Sequence, residues 1–286
     1  MKIARHDAGN GPEIGLVVEG GLVGLAAVGC DFPDMLALIA DGEEALARIR
    51  AASAGVAPHH RLDAVRLLAP LRPGKYLAIG MNYAKHVAEM GHAERPQYQY
   101  WFNKQTTCIN DPYGEIDPGV SRRLDYEVEL AVVIGRSAKG VSAADALSHV
   151  FGYVVANDVS ARDWQKHSPT FTMGKSFDTH GPVGPWIVTA DEIPDPQALP
   201  LRSFVNGELR QSSNTSDMSF SVAEQVEYLS TAFTLEPGDL LATGTPEGVG
   251  MAMDPPQFLQ EGDVVRCEVD RIGAIENRVS APQRGK

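Results

Sequence analysis

The segment DYEVELAVVIG, residues 125–135, indicates which class of fold this chain adopts. Its second half is a short apolar run, rich in β-branched residues and closed by a glycine, which is typical of a buried strand. Three acids precede or enter that run at alternate positions: Asp125, Glu127 and Glu129. Because side chains alternate between the two faces of a strand, the three carboxylates are expected to share one face.

Two interpretations of these acids are open from the spacing alone. An antiparallel strand often has one solvated polar face, and the E-x-E pattern by itself favours that reading. Alternatively, two carboxylates on one strand face can bind a hard divalent cation, provided that a further oxygen ligand comes from elsewhere. The second interpretation therefore requires a third carboxylate.

The rest of the chain predicts a strand-rich α+β protein with few helices. Short apolar runs alternate with Gly/Pro/Asp turns from Lys75 onward, which does not fit a βαβ repeat. Helices are predicted at 34–52, weakened by Gly42, at 142–149, and at 221–234, where Ser221 and Glu224 form a capping-box pattern. The first part contains a hairpin pattern at Gly20-Gly21, and we expect a small N-terminal α+β domain over 1–70 and a main domain over 71–286.

A candidate for the third carboxylate lies in FGYVVANDVSARDWQ, residues 151–165. Asp158 follows an apolar strand, which suits a site residue and equally suits a turn or a helix cap. Arg162 and Gln165 follow at i and i+3, on one face if a helix begins there. Arg162 could bind a substrate carboxylate or form a structural ion pair with Asp163 or Glu129.

Other candidates come from three further segments. Lys175, within GKS, could stabilise a developing oxyanion or be an ordinary surface lysine. His86 and Glu89 are spaced for an oriented general base or for a solvated pair. Thr245, in the glycine-rich segment ATGTPEGVG, could line a pocket or belong to a plain strand-to-turn transition. P-loop, G-x-S-x-G, H-E-x-x-H and G-x-G-x-x-G patterns are absent from the sequence.

Composition limits the possible partners and the compartment. The 286-residue chain has a formal net charge of −12, which argues against nucleic-acid and anionic-membrane binding. Its three cysteines are widely spaced and odd in number, which indicates a reduced intracellular, cytoplasmic protein. The N-terminal residues have no apolar signal region, and no apolar stretch reaches the ~18 residues of a membrane helix.

Taken together, the motifs resemble the fumarylacetoacetate hydrolase family. GMNYAKHVAEMG, DYEVELAVVIG, GYVVANDVSARDWQ, GKSFDTHGPVGPWIVT, VNGELRQ and LEPGDLLATGTPEGVG occur in the order typical of that family, roughly over residues 72–280. The N-terminal part resembles the small extra domain of longer bacterial members. The resemblance implies a mixed β-sandwich or β-roll of packed sheets and a homodimer.

The resemblance also implies roles for the candidate residues. Glu127, Glu129 and Asp158 would hold Mg²⁺, Mn²⁺ or Ca²⁺, with Asp125 beside them but not a ligand. By the same resemblance, a catalytic dyad and substrate-contacting groups are expected at these positions: His86, Glu89, Arg162, Gln165, Lys175 and Thr245. His180 departs from the family pattern, in which a small or apolar residue is more usual.

The implied activity is metal-dependent hydrolysis of a C–C bond in a 2,4-dioxo acid, such as an acylpyruvate or a 2,4-diketo-3-deoxy sugar acid. His86 and Glu89 would activate water, and the metal and Lys175 would stabilise the enolate that leaves. The alternative is decarboxylation or isomerisation of a 2-oxo acid of the oxaloacetate or 2-hydroxyhepta-2,4-diene-1,7-dioate type, and a metal-binding protein without turnover is a third possibility. The segment 86–104 is expected to act as a lid that sets specificity.

Overall fold

Strands make up most of the regular structure in residues 1–282, the part of the chain that the computed structural model describes. Their bounds are β1 Lys2–Asp7, β2 Pro12–Val18, β3 Gly21–Gly24, β4 Arg66–Leu68, β5 Tyr76–Gly80, β6 Tyr100–Lys104, β7 Ile109–Asn110, β8 Leu124–Asp125, β9 Val128–Ile134, β10 Val150–Asn157, β11 Ser160–Ala161, β12 Gly181–Thr189, β13 Pro200–Val205, β14 Glu208–Asn214, β15 Leu240–Ala242, β16 Val264–Val269 and β17 Gly273–Arg278.

Helices are short, apart from two. Their bounds are α1 Met35–Ser53, α2 Ala84–Glu89, α3 Ala143–Ala146, α4 Arg162–Gln165, α5 Thr172–Lys175 and α6 Val222–Ala232. The hairpin turn at Gly20, the kink of α1 at Gly42 and the capping box at the start of α6 agree with the sequence predictions. The strand-rich α+β class is confirmed.

Two sheets form the body of the fold. The larger runs in the order β3-β2-β1-β12-β10-β9-β15-β5-β6, with β4 paired to β1 and β7 to β12. It is mixed, because β15 runs parallel to β5 and β7 parallel to β12 while the other pairs are antiparallel. A four-stranded antiparallel sheet, β14-β13-β16-β17, packs against β9 and β10, and a small sheet joins β8 to β11.

Strand β9 lies at the centre and is buried on both faces. Val128, Leu130 and Val132 point into the core shared with the four-stranded sheet. Ala131 and Val133 point into the second core, which includes the apolar face of α1. The two-residue alternation places Glu129 on the same face as Ala131, so this carboxylate enters the second layer from the end of the strand.

One detail of the predicted strand is wrong. Residues 125–134 do not form one continuous strand, because Tyr126 and Glu127 separate β8 from β9. Side chains replace the ladder there: Asn157 Oδ1 accepts from the Glu127 N–H at 3.0 Å, and Gln211 Oε1 accepts from the Val128 N–H at 3.0 Å. Satisfying these buried amides with side chains frees the chain from regular pairing at the point where the carboxylates emerge.

The first seventy residues add directly to the main sheet. Lys2 pairs with Val188 and Ile3 with Ile187, so β1 continues the sheet from β12. The division of the chain at residue 70 stays a prediction.

Candidate metal centre and active site

The register of two central strands brings three carboxylates together. Glu129 lies opposite Ala156, and the Asp158 N–H donates to the Glu127 carbonyl at 2.9 Å, so the ends of β9 and β10 meet. One carboxylate oxygen from each of Glu127, Glu129 and Asp158 lies within 4.8 Å of the others. All three residues are buried. The polar-face interpretation of the E-x-E spacing is therefore wrong.

Cationic side chains surround this carboxylate cluster. Lys175 Nζ lies 2.7 Å from both Glu127 Oε2 and Asp158 Oδ2, and Lys104 Nζ lies 2.5 Å from Asp158 Oδ1. Both lysines are buried, so the alternative of a surface lysine at 175 is wrong. Burial would lower the pKa of Lys175, but the charges of Asp158 and Glu127 outweigh it and raise that pKa, so Lys175 remains an ammonium ion.

Arg162 fixes the other side of Glu127. Its Nε donates to Asp125 Oδ2 at 2.9 Å, its Nη2 lies 2.7 Å from Glu127 Oε1, and its Nη1 donates to Gln165 Oε1 at 3.1 Å. The partners are therefore not the Asp163 and Glu129 considered from the sequence. Asp125 is held in turn by the N–H groups of Gly250 and Met251, which makes it an anchor for Arg162.

The pKa shifts of the acids show how their charge is balanced. Burial alone would raise the pKa of Glu127, but Lys175 and Arg162 lower it to about 2. Burial and the charges of Asp158 and Glu127 raise the pKa of Glu129 well above its ordinary value. Further positive charge beside Glu129 would lower this pKa and favour its ionised form.

The composition of the cluster fits a divalent cation. All three candidate ligands are carboxylates, the donors that Mg²⁺, Mn²⁺ and Ca²⁺ prefer. If Glu129 is ionised and Asp125 is counted, four buried carboxylates face three cationic side chains, Lys104, Arg162 and Lys175, which leaves one excess negative charge. A divalent ion would offset this charge and favour the ionised form of Glu129.

His86 and Glu89 form a pair near the cluster. His86 Nδ1 lies 3.0 Å from Glu89 Oε2, and the Gly248 N–H donates to Glu89 Oε1 at 2.8 Å. His86 is buried at 7% relative exposure, so the alternative of a fully solvated pair is wrong. With Nδ1 occupied by Glu89, Nε2 is the nitrogen left to exchange a proton.

Thr245 is held by the backbone of β9. Its hydroxyl donates to the Val128 carbonyl at 2.9 Å and accepts from Gln211 Nε2 at 2.8 Å. The neighbouring Gly244 N–H donates to Glu129 Oε2 at 2.8 Å. This segment therefore positions the carboxylates, and a substrate contact of Thr245 stays a prediction.

A cavity of about 560 Å³ opens beside the carboxylates. Six of the nine candidate site residues contribute to its wall, and these are His86, Glu127, Arg162, Gln165, Lys175 and Thr245. Glu89, Glu129 and Asp158 are not among the residues that line it. Among the candidate residues, one general base, His86, two cations, Arg162 and Lys175, and one carboxylate, Glu127, share this cavity.

Two functional residues were missed from the sequence. Lys104 ends β6 with its side chain fully buried, and it also donates to the His180 carbonyl at 3.1 Å. Asn157 orients Glu127 through its amide oxygen. The alternation in YWFNK, which puts Lys104 on the same face as Phe102, is the signal that could have identified the lysine.

His180 is buried in a neutral form. Its Nε2 donates to the Asp117 carbonyl at 2.9 Å, and its ring stacks on Phe177 with centroids 5.1 Å apart. Burial and the Lys104 charge lower the pKa of His180 to about 3. This histidine packs behind the cluster and does not line the cavity.

Comparison with known proteins identifies the family. The family described as fumarylacetoacetate (FAA) hydrolase C-terminal matches residues 75–280. The chain belongs to the fumarylacetoacetate hydrolase family, a family of enzymes. The fold class and the family resemblance inferred from the sequence are thereby confirmed.

Individual relatives point to more than one reaction. The chain is 44% identical over 288 residues to oxaloacetate tautomerase FAHD2B, mitochondrial, of Bos taurus, covering 98% of this chain and 91% of the relative. A solved fumarylacetoacetate hydrolase from Exiguobacterium antarcticum is 39% identical with a TM-score of 0.86, covering 98% of this chain and 99% of that one. Maleylpyruvate hydrolase from Sphingobium sp. SYK-6, solved with manganese(II) and pyruvate, is 33% identical with a TM-score of 0.84, covering 99% and 100%.

Within residues 1–282, no helix has the length and apolar character needed to cross a membrane.

Proposed function

We propose that this protein is a divalent-metal-dependent hydrolase that cleaves the C3–C4 bond of a 2,4-dioxo acid. The observation that carries the proposal is the His86–Glu89 pair, which faces the same cavity as Glu127, Arg162 and Lys175. A general base beside a carboxylate metal site suits the addition of water to a polarised ketone. The manganese and pyruvate bound to the related maleylpyruvate hydrolase support this assignment.

The residues present would hold Mg²⁺ or Mn²⁺ through Glu127, Glu129 and Asp158. When bound there, the ion supplies Lewis acidity toward the oxygens of a 2-oxo acid. Lys175 lies 2.7 Å from two of the three candidate ligands, so its ammonium group sits where negative charge would develop on the substrate. Arg162 and Gln165 supply planar donors for the substrate carboxylate.

His86 would perform the proton transfers. Its Nε2 takes a proton from water while the water oxygen bonds to C4, and Glu89 stabilises the imidazolium through Nδ1. Cleavage of the C3–C4 bond leaves its electron pair on the 2-oxo acid fragment as an enolate, which Lys175 stabilises. Protonation at C3 then yields pyruvate or a longer 2-oxo acid, together with a carboxylic acid.

A second candidate is tautomerisation or decarboxylation of oxaloacetate. The specific observation in its favour is the 44% identity to a protein named oxaloacetate tautomerase over nearly the whole chain. Both reactions need the same 2-oxo acid anchor. Tautomerisation needs a base that moves a proton between C3 and the 2-oxo oxygen, whereas decarboxylation breaks the C3–C4 bond, releases CO2 and then needs a proton at C3. Neither reaction needs room for a substituent beyond C4, whereas the large cavity offers such room.

A paired assay distinguishes the two. With Mn²⁺ present, an acylpyruvate and the enol of oxaloacetate are offered separately, and products are identified in ¹⁸O-labelled water. The proposal predicts pyruvate together with a carboxylic acid that carries one solvent oxygen. Conversion of the oxaloacetate enol without cleavage of any acylpyruvate would assign the protein to the second candidate.

A further inference from the structure

The cavity is lined by aromatic and aliphatic side chains in addition to the polar candidate residues. We use the term aromatic wall for Tyr100 and Phe102, both on β6, and Phe171, which precedes α5. The Phe171 ring centroid lies 5.5 Å from that of Tyr100 and 6.1 Å from that of Phe102. The Phe171 ring is tilted by 46° to Tyr100 and by 67° to Phe102, so the three rings pack at angles to one another and present both faces and edges, with which another aromatic ring can pack.

The aromatic wall is connected to the candidate catalytic residues. Lys175 Nζ lies 5.2 Å from the centroid of the Phe102 ring, so the same lysine contacts the carboxylates and the wall. Tyr100 donates its hydroxyl to the Pro169 carbonyl at 3.1 Å, which ties β6 to the loop before α5. A ligand anchored beside Lys175 would therefore place its distal end against these rings.

The backbone at Phe171 supports a functional role for its ring. Phe171 has φ 60° and ψ −10°, a left-handed conformation that is unusual for a bulky residue. Met81, which also lines the cavity, has φ 60°. Strained residues of this kind concentrate at ligand sites, where the surrounding structure holds them.

The size and charge of the cavity indicate what it binds. A cavity of about 560 Å³ is in the range of sites for drug-sized ligands and exceeds the needs of a four-carbon acid. Lys166, His92 and Glu94 all line it, and the Glu94 carboxylate offsets the Lys166 charge, so this part of the lining does not select for a distal anion. Tyr100 remains 43% exposed, so its ring surface is available to a ligand.

From these observations we propose that the aromatic wall is a substrate subsite for a flat, uncharged apolar group, aryl or conjugated alkenyl, attached at C4 of the 2,4-dioxo acid. This inference rests on the proposed hydrolysis and specifies its substrate class. Phe171 and Tyr100 are its specificity-determining residues.

The first test compares three substrates that differ only beyond C4: a methyl, a phenyl and a carboxyethyl ketone of the same 2,4-dioxo acid. We expect kcat/KM to be about tenfold or more higher for the phenyl than for the methyl substrate, since filling an apolar pocket commonly yields discrimination of that size. Phe171→Ala and Tyr100→Ala should each lower the phenyl-to-methyl ratio of kcat/KM toward one, chiefly by raising KM for the phenyl substrate. Tyr228→Ala, at a ring of 42% exposure on α6, is the matched control and leaves the ratio unchanged.

The inference is overturned if the methyl substrate is preferred. It is also overturned if the carboxyethyl substrate is preferred and Lys166→Met removes that preference. Thermal unfolding of each variant identifies a failure to fold. If either Phe171→Ala or Tyr100→Ala does not fold, the other variant still tests the subsite.

A binding measurement separates this inference from the proposed function. Calorimetry with Mn²⁺ compares 2-oxobutanoate with 2-oxo-4-phenylbutanoate, neither of which has the 4-oxo group needed for cleavage. We expect the phenyl compound to bind about tenfold more tightly, and Phe171→Ala to remove the difference. If no dioxo acid is cleaved but this difference is observed, the proposed reaction fails and the subsite stands. Equal affinities overturn the subsite whatever the reaction.

Discussion

His86 is oriented through one ring nitrogen, because its Nδ1 lies 3.0 Å from Glu89 Oε2. Replacing it with alanine removes the group that takes the proton from water, and we expect kcat to fall by roughly 10²–10⁴-fold. Metal affinity should be retained, since the residues that would hold the metal are the three clustered carboxylates and His86 is not one of these ligands. Steady-state kinetics combined with calorimetric Mn²⁺ titration measures both quantities. His149→Ala, at a histidine remote from the cavity, is the control.

Equal turnover by the His86→Ala variant and the unmodified protein would contradict the role of His86 as the base.

Lys104 balances Asp158 within the core. Removing one partner of a buried ion pair costs about 3–5 kcal/mol, so Lys104→Met should lower the thermal midpoint measured without metal. The variant also leaves more negative charge in the cluster, and we expect a larger upward shift of the midpoint on adding Mn²⁺ than in the unmodified protein. Thermal scans with and without Mn²⁺ test both effects, with Lys139→Met, an exposed lysine, as control. If the thermal midpoints of Lys104→Met shift as little as those of the control, Lys104 does not take part in the metal centre.

His180 makes the fold sensitive to acid. Its pKa is lowered to about 3 in the folded protein and has an ordinary value of 6.5. Its contribution to stability is therefore fully present above pH 6.5 and is lost as the pH falls toward 3, because the unfolded chain binds the proton first. The slope approaches about 1.4 kcal/mol per pH unit below pH 6. Urea unfolding between pH 7 and pH 4.5 should show a shallower loss of stability in His180→Gln than in the unmodified protein, and parallel curves would refute this.

Single residues differ in how far sequence analysis could assign them. Glu127, Glu129 and Asp158 could be proposed, because the alternation of side chains along a strand is visible in the sequence and the family motif supplies the third acid. For Lys104, the alternation in YWFNK indicates a buried position, but its role could not be assigned because its partners Asp158 and His180 are more than fifty residues away along the chain. Long-range pairing of this kind leaves no local pattern.

Secondary-structure elements set the limits of the cavity. The segment 86–104 begins in α2, passes through turns and ends in β6, and Arg95 Nη1 donates to the Ser219 carbonyl at 2.8 Å. The turns at residues 91–98 are largely exposed to solvent, which favours local opening. If this segment is a lid, its closure over a ligand should protect it from cleavage.

Limited proteolysis tests the lid. Cleavage after Glu94 by a glutamate-specific protease, followed by mass spectrometry, should slow when Mn²⁺ and a non-cleavable 2-oxo acid are added together. Cleavage after Glu261, an exposed residue outside the segment, provides the internal control. An unchanged rate after Glu94 would show that the segment does not close.

Elements with a strong local pattern could be predicted, and their irregularities could not. The capping box of α6 and the kink of α1 at Gly42 follow from residues adjacent in sequence. The interruption between β8 and β9 depends on the side chains of Asn157 and Gln211, which reach the backbone from distant strands. Tertiary hydrogen bonds of this kind override a local strand preference.

At the scale of the whole molecule, the order of strands brings the site together. Strand β9 lies between β10 and β15, so Asp158 and the Gly244–Thr245 segment reach the Glu127–Glu129 end from opposite sides. The sequence predicted many short strands but carries no signal for this order, nor for the way in which β1 extends the sheet from β12. Sheet order depends on non-local pairing, and here only the family resemblance could indicate it.

The central claim is that the carboxylate cluster holds a divalent ion on which C–C bond cleavage depends. The measurement that tests it most directly is the ultraviolet decay of an acylpyruvate with Mg²⁺ or Mn²⁺, repeated with EDTA and with the Glu129→Gln variant. We expect decay with release of pyruvate, loss of decay in EDTA, recovery on adding excess metal, and a decay at least tenfold slower in the variant. Decay that is unaffected by both EDTA and Glu129→Gln would contradict this claim.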